Sequence, residues 1–132
     1  MIIRRLEDII GTEREVKASN GKWTSRRLAL KDDNMGFSFH DTLMHAGTET
    51  YMWYKHHLEA VYCIAGHGEL ENLETGEIHP ISEGTLYLVN QHEKHILRAF
   101  DTMRTMCVFN PSLVGSEVHT EEGSYSIDPT IE

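Results

Sequence analysis

Short runs of apolar residues recur along the chain, and turn-forming residues separate them. The runs lie in RRLALKDD (26–33), MGFSFHDTLMHAG (35–47), ETYMWYKHH (49–57), LEAVYCIAG (58–66), HGELENLETGEIHPI (67–81), GTLYLVN (84–90), HILRAF (95–100) and RTMCVFNP (104–111). Glycine, asparagine or aspartate separates most of them, which is typical of strands of roughly 5–8 residues joined by turns. Many short strands within one chain predict an all-β domain, built as a sandwich or a closed barrel.

The same pattern leaves room for a short helix only. Long segments with a 3.6-residue period are missing, and the best helical candidate, LEDIIGTEREV (6–16), is interrupted by Gly11. Residues 112–132 are polar and contain Gly115 and Gly123. We therefore expect a short N-terminal helix at most, and an irregular C-terminal segment whose last residues are mobile.

Composition and charge narrow the class of protein. The 132 residues suit one compact domain, and the formal net charge of −9 opposes a role in binding nucleic acid. Charged residues interrupt the N-terminal MIIRRLEDII, and no apolar stretch approaches ~18 residues, so we expect a soluble cytoplasmic protein with no membrane partner. Cys63 and Cys107 lie far apart without C-x-x-C spacing, which predicts buried free thiols in a reducing compartment.

Candidate metal chemistry lies in WYKHHLEAVYCIAGHGE (53–69), where histidines and a glutamate stand close together. A small all-β domain with two glycine-bounded histidine motifs resembles the cupins. Their first motif, G-x5-H-x-H-x3-E-x6-G, is matched here by Gly47, Glu59 and Gly66. Its two histidine positions fall on Trp53 and Lys55, so the usual pair of histidine ligands is missing.

The second motif is also matched in part. From Gly84, its proline falls on Asn90, its glycine falls on His92, and its metal histidine falls on His95. The resemblance therefore implies a cupin-type, jelly-roll-like β-barrel formed by residues 1–132 as a single domain. Such a domain either lacks a metal or has recruited another ligand.

Tyr87 is the candidate for that other ligand. It precedes His95 on the strand that enters the second motif, and Leu86 and Leu88 flank it, so its side chain points to the face opposite theirs. His56 and His57 lie near the missing histidine pair but outside its register, and a slip of one residue sends a side chain to the opposite face of a strand.

The whole chain, beyond the cupin motifs, resembles the ectoine synthase family. The segments that carry the resemblance are MIIRRLEDIIGTEREV (1–16), W-x-S-x-R (23–27), DDNMGFSFHDT (32–42), WYKHHLEAVYCIAGHGE (53–69), GTLYLVNQHEKH (84–95) and CVFNPSLVGSEVH (107–119). Asn90 and Glu93 stand where the family tends to have aspartates, and this difference bears on the substrate rather than on the fold.

This resemblance implies a hydro-lyase that closes a ring. Its substrate is N-γ-acetyl-L-2,4-diaminobutyrate, whose α-amine attacks the acetyl amide carbonyl and releases water to give ectoine. The family's metal is Fe²⁺, and its ligands carry over to Glu59, Tyr87 and His95, a donor set that suits this cation. The resemblance also implies a homodimer.

The family's pocket residues carry over to further positions. The implied substrate-binding residues are Trp23, Arg27, Thr42, His57 and Phe109, and the implied catalytic residues are Tyr54, Glu117 and His119. Arg27 would hold the substrate carboxylate. Glu117 and His119 are the candidate acid/base pair, since their i, i+2 spacing lets an extended chain point both at one cavity. His40, His45, His67 and His79 receive no role.

Two alternatives stay open from the sequence. One is a cupin metalloenzyme that acts on a related substrate, and the other is a non-catalytic cupin that binds a small polar ligand. Asn90 and Glu93 keep the second alternative open. In the main hypothesis, residues from about 115 to 132 form a lid that excludes water from the reaction.

Overall fold

A computed structural model describes residues 1–125, whose regular secondary structure is almost entirely β-strand. The described chain contains a four-residue helix, α1 (Leu6–Ile9), a short 3-10 helix (Lys31–Asp33) and ten strands. The strands are β1 (Glu15–Lys17), β2 (Trp23–Ala29), β3 (Ser38–Met44), β4 (Thr48–Met52), β5 (Leu58–Ala65), β6 (Gly68–Asn72), β7 (Ile78–Ile81), β8 (Leu86–Val89), β9 (His95–Ala99) and β10 (Met103–Asn110). The prediction of an all-β domain is confirmed.

The strands form two antiparallel sheets that do not close into one hydrogen-bonded ring. One sheet has the order β1-β2-β3-β10-β5-β8, and the other has the order β4-β9-β6-β7. Of the two architectures that the sequence predicts, the structure shows the open, sandwich-like form of the jelly roll. The sheets face each other, so a core and a cavity lie between them.

Alternation along β10 shows how the sequence builds this core. Met103, Thr105, Cys107 and Phe109 are buried, whereas the intervening residues are partly exposed. Because successive side chains of a strand point to opposite faces, these four line the space between the sheets. Cys63 and Cys107 are buried free thiols, as predicted.

The N-terminal helix is shorter than its candidate segment. It ends at Ile9, Gly11 adopts a φ of +83°, and β1 follows instead of a further helical turn. Arg4 anchors the residues before the helix through two charge-assisted hydrogen bonds of 2.8 Å to the carboxylate of Asp33. No helix in the described part of the chain is long and apolar enough to cross a membrane.

The C-terminal segment, residues 111–125, has no regular secondary structure but packs closely on the sheets. The backbone N–H of Lys31 donates to the carbonyl of Leu113, and the N–H of Trp53 donates to the carbonyl of Gly123, both at 2.9 Å. Leu113 is fully buried, and Tyr125 is nearly so. This segment covers one end of the space between the sheets; residues 126–132 of the predicted lid lie outside the described range.

Candidate active site

A cavity lies between the sheets, beneath the C-terminal segment. Seven of the predicted site residues line it, namely Trp23, Thr42, Tyr54, Glu59, Tyr87, Phe109 and His119. The structure thus brings together residues from five strands, one loop and the C-terminal segment. Arg27, His57, His95 and Glu117 lie around this cavity rather than in its lining.

Glu59 and Tyr87 lie on neighbouring strands of the six-stranded sheet. In the pairing of β5 with β8, Val61 is opposite Tyr87 and Glu59 is opposite Val89, so Glu59 and Tyr87 are diagonal neighbours on the inner face. Leu86 and Leu88 are more than half exposed on the outer face. The predicted inward direction of Tyr87 is therefore confirmed.

His95 lies at the start of β9, on the opposite sheet. Its Nδ1 lies 2.8 Å from the carbonyl oxygen of Glu93, and since a carbonyl only accepts, this nitrogen carries the proton. The Nε2 lone pair is then available, yet this atom is buried without a hydrogen-bond partner in the described part of the chain, as is Oε1 of Glu59. Buried polar atoms without partners are costly, and a bound cation satisfies both of these.

Burial also changes the pKa of the Glu59 carboxyl and the pKa of the Tyr87 phenol. It raises the pKa of Glu59 to about 8. It raises the pKa of Tyr87 well above its ordinary value, and the nearby Glu59 adds to that rise. A divalent cation reverses both effects because it favours the deprotonated forms.

The donor set itself agrees with a tyrosine as third ligand. Within residues 1–125, no group of three or more His, Cys, Asp or Glu side chains is arranged to hold a metal ion. Trp53, at a motif histidine position, instead lies between the ammonium groups of Lys55 and Lys94, at 4.4 and 4.5 Å from its ring. A three-ligand centre here needs the phenol of Tyr87 beside Glu59 and His95.

His57 supplies a further buried imidazole near this centre. It is 1% exposed, and neither ring nitrogen has a hydrogen-bond partner within residues 1–125. Its ring packs edge-on against Phe109 and Tyr125, at centroid distances of 6.0 and 6.2 Å. Burial lowers the pKa of His57, so the neutral imidazole is the favoured form.

An aromatic cluster forms the wall on the side of the C-terminal segment. Tyr54 stacks on Tyr125 at 5.3 Å, and its hydroxyl lies 3.0 Å from Nε2 of His119. Burial and the charge of Arg27 lower the pKa of His119 to about 4, and burial raises that of Tyr54 well above its usual range. Both groups are therefore neutral at pH 7, and the tautomer of His119 sets the direction of the hydrogen bond between them.

Arg27 and Glu117 lie outside the cavity lining, and the roles that the sequence analysis gave them stay predictions. The Arg27 guanidinium donates to the carbonyls of Gly115 and Glu117, at 2.9 and 2.7 Å, and is fully buried. The Glu117 carboxylate accepts the backbone N–H groups of Val114 and Gly115, at 2.6 and 2.7 Å. These contacts turn Glu117 back onto its own segment, so it and His119 do not point at one cavity together.

The cavity also contains residues to which the sequence analysis gave no role. These are Ser25, Met44, Met52, Val61, Leu97, Thr105, Cys107 and Tyr125. The alternation along β10 from Phe109 identifies Thr105 and Cys107, and the alternation along β2 from Trp23 identifies Ser25. Tyr125 lies in a polar irregular segment, where no periodic pattern indicates its position.

Asn90 and Glu93, the two departures from the family pattern, do not line the cavity. Asn90 is exposed, and the Glu93 carboxylate accepts the N–H of Gln91 in a local turn. His92, which replaces the motif's glycine, adopts a left-handed φ of +55° and contacts the carbonyl of Tyr54 at 2.7 Å. These substitutions therefore shape the loop before β9 and leave the cavity wall unchanged.

The chain is similar to known proteins along nearly its whole length. A family model described as ectoine synthase matches residues 1–129. The L-ectoine synthase of Desulfatibacillum aliphaticivorans is 54% identical over 127 residues, which cover 96% of this chain and 98% of that protein. The crystal structure of ectoine synthase from P. lautus is 52% identical, with a TM-score of 0.86 over 98% of this chain and 92% of that one.

A more distant similarity concerns the fold alone. The Cupin_2 domain of an XRE family transcriptional regulator from Enterobacter cloacae is 14% identical, with a TM-score of 0.57 over 67% of this chain and 96% of that domain. It agrees with the cupin fold that the two motifs indicate. The sequence is similar to ectoine synthases over nearly its full length, and its structure matches one of them. The chain therefore belongs to the ectoine synthase family.

Proposed function

We propose that this protein closes N-γ-acetyl-L-2,4-diaminobutyrate into ectoine with loss of water. Family membership supports the reaction. Its location is supported by two buried atoms beside Tyr87, Oε1 of Glu59 and Nε2 of His95, which have no hydrogen-bond partner within residues 1–125. The product, a cyclic amidine, serves as a compatible solute in this proposal.

The proposed cofactor is Fe²⁺, held by Glu59, Tyr87 and His95. A carboxylate, a phenolate and an imidazole form a donor set that suits this cation, and the two unpartnered buried atoms fit a bound ion. When bound, the cation would act as a Lewis acid on the amide carbonyl oxygen and so activate the carbonyl carbon, which is otherwise a poor electrophile.

The reaction requires proton transfers that balance within the substrate. The α-ammonium must lose one proton before its nitrogen attacks the acetyl carbon, and a second proton once the C–N bond has formed. Both protons leave with the acetyl oxygen as water, and the positive charge stays on the cyclic amidinium. His119 and Tyr54 are the proposed carriers because they form a neutral hydrogen-bonded pair on the cavity wall.

The other cavity residues hold the substrate in a ring-like conformation and keep water out. Trp23 and Phe109 are nearly fully buried walls, and Thr42 adds a hydroxyl between them. A folded conformation that brings the amine to the carbonyl lowers the barrier through orientation. His57, with its two unpartnered nitrogens beside this wall, is proposed to bind the polar end of the substrate.

Arg27 and Glu117 have a positioning role in this proposal. Their contacts with residues 114–117 fix the C-terminal segment that carries His119 and Tyr125 over the cavity. This segment then acts as the lid, since the reaction releases water and runs backward when water has free access.

The test is anaerobic turnover of the acetylated diaminobutyrate with and without added Fe²⁺, with ectoine followed by chromatography. We expect iron-dependent product formation. Glu59→Ala and His95→Ala should each lose both product formation and bound iron, measured by elemental analysis. Iron-independent turnover would refute the cofactor, and a folded protein that gives no product with any divalent metal would refute the reaction.

We further propose that the protein is a cytoplasmic homodimer. Strand β8 is an edge of the six-stranded sheet, and it exposes Leu86 and Leu88. The extended residues Met1, Ile2 and Ile3 are also largely exposed. A second copy that contacts both regions buries them reciprocally, as two-fold symmetry requires. The two free thiols support a reducing compartment.

A further inference from the structure

His40 lies behind the cavity, fully buried between two serines. Its Nε2 is 2.8 Å from Oγ of Ser38, and its Nδ1 is 3.3 Å from Oγ of Ser25. The ring of Phe109 packs edge-on against it at 5.3 Å. Burial and the positive charge of Arg27 lower the pKa of His40 well below its ordinary value, so the imidazole is neutral. A neutral imidazole donates from one nitrogen and accepts at the other.

The hydrogen bonds of Ser38 decide which nitrogen carries the proton. Ser38 is fully buried, and its Oγ already accepts the backbone N–H of Leu113 at 2.9 Å. Within residues 1–125, His40 Nε2 is the acceptor within reach of the Ser38 hydroxyl proton. If Nε2 were protonated, that buried hydroxyl would have no acceptor and would lose its hydration without compensation. The arrangement that satisfies Ser38 therefore leaves Nε2 unprotonated and places the proton on Nδ1.

The direction of the next hydrogen bond follows from this assignment. Nδ1–H of His40 donates to Oγ of Ser25, and Nε–H of Arg27 donates to the same oxygen at 3.2 Å. Both lone pairs of Ser25 Oγ are then engaged. Its own O–H is left to donate, and Ser25 is part of the cavity lining.

We propose that His40 fixes the hydroxyl of Ser25 as an obligate hydrogen-bond donor to an oxygen atom of the bound substrate. Ser25 is then a binding residue that selects an oxygen acceptor, a carboxylate or an amide carbonyl, over an ammonium group at this point of the cavity. His40 is a positioning residue, because it reaches the substrate through Ser25. The identity of the acceptor rests on the proposed function, whereas the direction of the hydrogen bonds rests on the contacts of Ser38 alone.

Nuclear magnetic resonance of the full-length, metal-free protein tests the direction of these hydrogen bonds without any turnover. A long-range ¹H–¹⁵N spectrum distinguishes a protonated ring nitrogen from an unprotonated one in each histidine. The His40 signals are identified by their absence in His40→Gln, or by through-bond correlations in the wild type if that variant does not fold. We expect protonated Nδ1 and unprotonated Nε2 at pH 7. Protonated Nε2, alone or together with Nδ1, would overturn the proposal.

Steady-state kinetics of the iron-loaded enzyme tests the role of Ser25. Ser25→Ala removes the donor and should lower kcat/KM about tenfold, the effect of one neutral hydrogen bond. Ser25→Thr keeps the hydroxyl and should recover most of that loss. An unchanged kcat/KM in Ser25→Ala, or an equal loss in both variants, would overturn the role. A wild-type enzyme without turnover would refute the proposed function, and the spectrum would then still decide the direction of the hydrogen bonds.

Discussion

Gly66 lies in close contact with the backbone of residues 102–103. It follows β5 and adopts a φ of +81°, and a Cβ atom built there would lie 2.8 Å from Cα of Met103 and even closer to the carbonyl oxygen of Thr102. Gly76 adopts a similar φ of +77°, yet a Cβ built there would contact no atom within 4 Å. The two glycines therefore share the backbone conformation and differ in the space around it.

Alanine substitutions at Gly66 and Gly76 distinguish the energetic cost of backbone strain from the cost of a steric collision. Gly76→Ala should lower the free energy of unfolding by about 1 kcal/mol, the cost of a left-handed conformation for a residue with a Cβ. Gly66→Ala should cost at least about 2 kcal/mol more, because the backbone of residues 102–103 must move. Urea denaturation of both variants gives the comparison, and equal losses would contradict the close approach at Gly66.

At the scale of elements, the C-terminal segment depends on Arg27. This side chain is fully buried and donates to two carbonyls of the segment, and Glu117 lies 3.8 Å from one of its terminal nitrogens. The segment has no strand or helix hydrogen bonds of its own. Its position therefore follows from side-chain contacts and isolated backbone hydrogen bonds rather than from regular structure.

Replacing Arg27 should loosen this segment and destabilise the protein. Arg27→Met leaves Glu117 buried without its cation, which typically costs about 3 kcal/mol in the free energy of unfolding. Amide hydrogen exchange at Val114 and Gly115 should accelerate with it. Arg14→Met is the control, because Arg14 is less buried and donates to one backbone carbonyl. Equal exchange rates in wild type and Arg27→Met would contradict the anchoring role.

The N-terminal residues are attached to the fold through an ion pair that responds to acid. Hydrogen bonds from Arg4 lower the pKa of Asp33 to about 2. A depressed folded-state pKa contributes stability above the ordinary carboxyl value near 3.8, and this contribution is lost as the pH falls through about 2. Asp33→Asn should therefore be less stable than wild type at pH 6, and the difference should shrink between about pH 4 and pH 2.

Chemical denaturation at several pH values measures this difference. Asp32→Asn is the control, because Asp32 lies beside Asp33 in the same 3-10 helix and has no ion pair in the described part of the chain. A difference between wild type and Asp33→Asn that stays constant from pH 6 to pH 2 would show that the carboxylate charge of Asp33 contributes nothing.

At the scale of the whole molecule, two of the edge strands, β8 and β7, allow a matched test of the proposed dimer. Leu86→Glu combined with Leu88→Glu places two charges on the outer face of β8 and should convert the dimer into monomers, since it introduces repulsion and unpaired buried charge at the interface. Ile78→Glu changes an equally exposed residue on β7, the edge strand of the other sheet, and should leave the dimer intact.

Light scattering coupled to size-exclusion chromatography gives the mass of each variant. A wild-type protein that is monomeric at micromolar concentration would refute the dimer. A dimer that persists in the β8 variant and dissociates in Ile78→Glu would place the interface on the four-stranded sheet instead.

The strands and the inward direction of Tyr87 were predicted from the sequence more completely than the arrangement of the site. Period-two alternation is local, so it correctly places Tyr87 inside and Leu86 and Leu88 outside. The family resemblance identified seven residues that line one cavity in the structure. The contacts of Arg27 and Glu117 could not be read in this way, because their partners are backbone atoms of an irregular segment. The donor role of Ser25 depends on four hydrogen bonds that no sequence pattern specifies.

The order of the six-stranded sheet has a consequence for how the protein is made. Strand β10 lies between β3 and β5, yet it follows every other strand in the chain. As a ribosome releases the chain from its N-terminus, β1, β2 and β3 cannot join β5 and β8 until residues 103–110 have emerged. Until then the nascent protein carries two open sheet edges, which invite pairing with neighbouring chains. Chaperones that cover these two edges until β10 is in place should therefore raise the yield of folded protein.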